Sequence, residues 1–175
     1  VDEVAGFDEA PNGRLSKVGL EIFATVYPEV VPFPFDGFAT GSGAGTTAKK
    51  DCLEIVRALV SAEADAEWIQ SRGTRLRNRA TQLLAHSWDV LDRDGALAAQ
   101  PGNERIAAML ETLDVWHQET PARSLEETRR ALIAAPYGCN LASAGLLLGL
   151  FVARRWPRRR LLVDGEAVQA ANWIS

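Results

Sequence analysis

The residues GFATGSGAGTTAKK, positions 37–50, combine glycines, hydroxyls and two lysines ahead of a helical pattern. That combination is the raw material of a phosphate-binding loop. A Walker-type loop needs a glycine, four residues and then Gly-Lys-Ser/Thr, so that backbone amides and a helix N-terminus cradle the phosphates while the lysine reaches the outer ones. No glycine here is followed by a lysine; Lys49 and Lys50 come four and five residues after Gly45. The segment before the loop carries Pro28, Pro32 and Pro34 and cannot supply the usual apolar strand. The stretch therefore reads as a loop entering a helix capped by Thr46 or Thr47.

Acid–base chemistry requires histidines or carboxylates that converge in a cleft. His86 and His117 each lie at the edge of an apolar stripe and read as boundary residues. Asp89, Asp92 and Asp94 fall in DVLDRDG, which lacks the ligand series of a calcium loop. It reads as a helix end and a turn with Gly95 in the left-handed position. Cys52 and Cys139 share no metal-ligand spacing and read as reduced, buried thiols of a cytoplasmic protein. No serine lies in a Gly-x-Ser-x-Gly context. The expectation is a non-enzyme with no metal and no cofactor.

The basic residues are more concentrated. ARRWPRRR places Arg154, Arg155, Arg158, Arg159 and Arg160 around Trp156, in a chain whose net charge is −4. Arginines between a helix end and a β-hairpin can grip nucleic-acid phosphates as winged-helix proteins do. Residues 142–152 carry no polar face beyond Ser143, so such a module would hold phosphates and not read bases. A second run, RGTRLRNR, brings Arg72, Arg75, Arg77 and Arg79 to the start of a long helical pattern. Two other readings stand beside DNA contact: cations complementing a helix C-terminus, and pairing with an acidic surface of a larger protein.

Positioning these residues falls to a mainly helical scaffold. Apolar residues make up 47% and charged residues 24%, enough for a buried core. Residues 1–45 form a Pro/Gly-rich entry segment. Within it Pro11, Asn12 and Gly13 read as a turn, GLEIFATVY as helix or strand, and Phe33, Phe35 and Phe38 as anchors onto the body. Residues 46–120 form a helical subdomain. Leu53, Val56, Leu59 and Val60 make one stripe, and Leu76, Ala80, Leu83, Leu84, Ser87, Trp88 and Leu91 make another along a helix over 74–91. A short helix is expected near 65–70, a short strand at 96–98, and a helix capped by Asn103.

Residues 121–175 form the last subdomain. It opens with the capping box Ser124-Leu125-Glu126-Glu127 and continues through the breaker APYGCN. A helix over 142–155 follows, apolar on nearly every face, with Gly145 and Gly149 allowing a neighbour to approach. Two short strands flank Asp164-Gly165. No apolar run approaches the ~20 residues of a membrane helix, and Asp2, Glu3, Asp8 and Glu9 do not make a secretory leader.

The segment LIAAPYGCNLASAGLLLGLFVARR with RLLVDGEAV, within 132–168, resembles a module of very large prokaryotic P-loop ATPases, the BREX-type phage-defence ATPases and their relatives. In that family a Pro-Tyr/Phe-Gly turn precedes an apolar helix and a β-wing with a Gly-Glu pair. The matching positions are Pro136, Tyr137, Gly138, residues 146–152, Gly165 and Glu166. The family's ATPase motifs are not in this chain, so hydrolysis is carried to no residue. The resemblance implies an accessory helical and winged-helix-like module that docks to other domains of a larger chain or to defence-system subunits, or holds DNA. Tyr137, Trp156 and Trp173 are the expected docking or packing anchors.

Overall fold

A computed structural model describes residues 11–35, 46–155, 161–163 and 166–168. The architecture is mainly helical, in the order α1 (Pro11–Val26), α2 (Thr46–Val60), α3 (Ala66–Ser71), α4 (Thr74–Ala80), α5 (Glu104–Glu119), α6 (Leu125–Ile133) and α7 (Leu141–Arg155). Strands β1 (Leu161–Val163) and β2 (Glu166–Val168) pair antiparallel, with Leu162 opposite Ala167. The Asp164-Gly165 turn between them lies outside the described residues.

The core forms where α7 lies against α2, the most extensive helix–helix contact. Leu146, Leu147 and Leu150 of α7 and Ile55 and Leu59 of α2 are wholly buried. A helix apolar on nearly every face has no stable place at a surface, and α7 is accordingly enclosed, with α5 and α6 on its other sides. Of its two glycines only Gly149 serves close approach: a Cβ there would stand 3.2 Å from Val56 Cγ1, whereas one at Gly145 would meet nothing.

Several expectations are corrected. Pro11, Asn12 and Gly13 open α1, because proline fits the first helical turn, where no N–H partner exists. The expected helix over 74–91 ends earlier. α4 passes at Thr81 into a π-helical segment that stops at Ser87, and Asp89 then takes a left-handed φ of 49° that no helix can continue through. Leu91 instead bridges Leu97, all that forms of the strand expected at 96–98. Leu53 is 39% exposed, not part of the buried stripe; Cys52 and Ile55 face the core in its place. Gly95 does adopt a left-handed φ, 81°, where a Cβ would run into Ala66 Cβ at 2.4 Å.

Residues 27–35 form a strap along the body. Its carbonyls are held by side chains that donate across the fold: Trp88 Nε1 to Pro32 O at 2.7 Å, and Arg105 Nη1 to Val30 O at 3.0 Å. Glu29 N donates to Pro136 O, and Tyr27 packs over Gly138 so closely that a Cβ there would meet Tyr27 Cγ at 2.4 Å. Phe33 and Phe35 meet edge to face at 5.2 Å and pack on the core, as anchors should. Phe38 lies outside the described residues.

Candidate functional site

Two arginines of RGTRLRNR, Arg75 and Arg79, face a carboxylate within the fold. Asp51, on α2, is almost wholly buried, a position a lone carboxylate could not hold. Arg75 clamps it through two hydrogen bonds, Nε to Oδ2 and Nη2 to Oδ1, each 3.0 Å. Arg79 adds a contact from Nε to Oδ2 at 3.3 Å, while its guanidinium lies 5.5 Å from the Phe35 ring centre. One carboxylate thus ties α2, α4 and the strap together. The hydrogen bond to Asp51 also raises the Arg75 pKa above the ordinary arginine value.

Next to this knot, α2 and the α3–α4 junction frame an open cleft of ≈ 770 Å³, lined among others by Lys50, Leu53, Arg57, Arg72, Gly73 and Arg75. Its two carboxylates are both engaged by the protein: Asp51 as above, and Glu54 by Arg57 Nη1 at 3.2 Å. Arg72 stacks 5.1 Å over the Trp68 ring and donates to Ser71 Oγ and Trp68 O. Among the described residues neither Lys50 nor Arg72 makes an ion pair.

The C-terminal arginines are placed only in part. Arg154 turns back onto the body, where its Nη2 donates to Ala99 O, and partial burial lowers its pKa. The side chains of Arg155, Arg158, Arg159 and Arg160, together with Trp156 and Trp173, lie outside the described residues. Tyr137 packs edge to face on Trp116 with centroids 5.4 Å apart, and its hydroxyl pKa is raised by burial and by Glu29.

His117, expected at a boundary, is buried instead. It stacks on Phe151 at 5.2 Å and lies 3.2 Å from Thr128 Oγ1. Thr128 directs its hydroxyl proton to Ser124 O, so Nε2 of His117 is the donor in that pair. The imidazole thereby joins α5, α6 and α7. His86 is exposed, lining a shallow polar recess with Arg77 and Gln82. Asp92 Oδ1 accepts from the backbone N–H groups of Asp94 and Ala96, which makes it a turn residue. Burial pushes both thiols up to about 11; Arg79 opposes this at Cys52 and a Ser143 hydrogen bond at Cys139. Among the described residues no group of three or more His, Cys, Asp or Glu side chains could hold a metal, and no helix is long and apolar enough to cross a membrane.

The remaining candidate surface is α1, whose segment GLEIFATVY suits helix or strand by sequence and is helical in the fold as far as Val26. Leu20, Ile22, Phe23 and Val26 are 69%, 57%, 41% and 44% exposed. Among the described residues α1 makes at most sparse contact with any other helix. Its C-terminal end is fixed: Phe23 packs on Tyr27 at 4.8 Å, and Tyr27 is the residue seated over Gly138. The helix therefore projects from an anchored root. No known protein family, curated protein or solved structure matches the chain, and none ties it to the phage-defence ATPases that its C-terminal segment resembles.

Proposed function

We propose that the chain is a non-catalytic interaction module, a helical body that presents α1 for docking on another protein surface. The observation that carries this reading is the exposure of Leu20, Ile22, Phe23 and Val26 on one helix rooted by Tyr27. Large apolar side chains left exposed together on one helix support an interaction site. The partner class follows from the C-terminal resemblance: another domain of a larger ATPase chain, or a subunit of its assembly. Sedimentation velocity over a concentration series tests the docking role. The isolated chain is expected to self-associate and to bind a hydrophobic dye, and Ile22→Glu with Val26→Glu is expected to abolish both. A wild-type chain that stays monomeric and dye-silent would overturn the reading.

A second reading is a winged-helix-like nucleic-acid module, favoured by the antiparallel β1–β2 pair following α7 and its arginines. Because residues 146–152 of α7 are buried, no side chain there is free to read a groove, and binding would rest on phosphate contacts. It predicts DNA affinity that falls steeply between ~50 and ~200 mM salt and disappears when Arg158, Arg159 and Arg160 become alanine. Anisotropy with labelled duplex and single-stranded DNA decides it.

A further inference from the structure

We infer that the cleft between α2 and the α3–α4 junction is a docking site for an acidic, partly aliphatic peptide segment of a partner protein. The inference rests on the interaction-module reading but uses a different face from α1, so either can fail without the other.

Four cations line the cleft, Lys50, Arg57, Arg72 and Arg75, against two carboxylates, Asp51 and Glu54. Both carboxylates are already engaged by Arg75, Arg79 and Arg57. The local charge is therefore positive in a chain of net charge −4. The cations differ in what they can still do. Arg75 uses Nε and Nη2 on Asp51 and Arg72 uses Nε and Nη2 on Ser71 Oγ, which leaves Nη1 of each for an incoming acceptor. Arg72 is pre-oriented by stacking on Trp68, which lowers the entropic cost of using it. Lys50 is exposed and makes no ion pair among the described residues.

Between these cations the surface is apolar: Leu53 is 39% exposed and Leu76 is half-buried. At the junction Gly73 adds no side chain, and a Cβ built there would meet nothing within 4 Å. A peptide matches this surface, with carboxylates on Arg72 and Lys50 through charge-assisted hydrogen bonds and an aliphatic side chain on Leu53. A nucleic acid fits less well. Among the described residues no aromatic ring lines the cleft for bases to stack on.

The test is fluorescence anisotropy of the full chain with a labelled peptide of Glu, Asp and Leu, beside a labelled oligothymidylate, at ~50 and ~200 mM salt. The peptide is expected to bind in a salt-sensitive manner. Lys50→Glu and Arg72→Glu are each expected to weaken binding by roughly tenfold, the effect of losing one good charge-assisted contact. Gly73→Trp should do the same by filling the cleft. Gly73 has φ −61° and ψ 151°, a conformation any residue adopts, so this variant keeps the fold. Ile22→Glu with Val26→Glu should leave peptide binding unchanged. Absence of peptide binding, binding indifferent to all three cleft variants, or tighter binding of the oligothymidylate would each overturn the proposal.

Discussion

Arg75 and Asp51, 24 residues apart in sequence, meet through two parallel hydrogen bonds of 3.0 Å, with the carboxylate only 3% exposed and the arginine 63% exposed. The two ends of this pair therefore differ in what their loss should cost. Asp51→Ala leaves Arg79 facing an emptied site and is expected to destabilise the fold by about 2–4 kcal/mol. Arg75→Ala leaves Arg79 on the carboxylate and removes only an exposed partner, so it should cost clearly less. Urea unfolding of the two variants checks this asymmetry. Equal losses would contradict it.

The two glycines of α7 should respond in opposite directions. Gly145→Ala enters open space and raises helix propensity, so it should stabilise by about 0.5–1 kcal/mol. Gly149→Leu drives a side chain into Val56 and should cost about 1–3 kcal/mol. Chemical denaturation midpoints with an unchanged m-value are the readout.

The thiols should be nearly inert while the chain is folded. With both pKa values pushed up to about 11 by burial, the thiolate fraction at pH 8 is roughly two orders of magnitude below that of an ordinary cysteine. Reaction with a disulfide reagent should be slow in buffer and rapid in denaturant, releasing two equivalents, from Cys52 and Cys139. Fast reaction of either thiol in the native chain would contradict the described packing.

Hydrogen bonds from Arg129 and then Arg130 lower the Glu126 pKa from 4.5 to about 2. A carboxyl group whose pKa is depressed in the folded state contributes stability above its unfolded pKa and loses it as the pH falls through the folded value. The stabilising effect of Glu126 should be complete above about 4.5 and disappear toward 2. Thermal melts of wild type and Glu126→Gln across that range should converge at the acid end. A difference that persists unchanged at pH 2 would rule out the ion pair as its origin.

Local signals carried much of the fold into the sequence. Asn103 caps α5 by accepting from the N–H groups of Arg105 and Ile106, and the Ser124–Glu127 box forms in both directions, because capping is decided within one helical turn. The enclosure of α7 was legible from its composition. What the sequence did not show depends on distant partners. Nothing next to Asp51 in the sequence marks it for burial, because its partners Arg75 and Arg79 lie more than twenty residues further along the chain. His117 reads as a boundary residue until Phe151 and Thr128 enclose it. The early end of the helix after Ser87 lies in backbone geometry, since an apolar stripe continues in sequence after the helix has stopped. The apolar side chains of α1 were visible in the sequence, but only the packing shows that the body leaves them uncovered.

The most direct test of the interaction-module account is the unfolding free energy of the chain carrying Ile22→Glu and Val26→Glu, measured alongside its sedimentation. The account predicts stability within about 0.5 kcal/mol of the parent, as for other surface substitutions, together with loss of self-association. A loss of more than about 2 kcal/mol would show that this apolar face belongs to the core of the folded chain, and the docking role of α1 would fall with it.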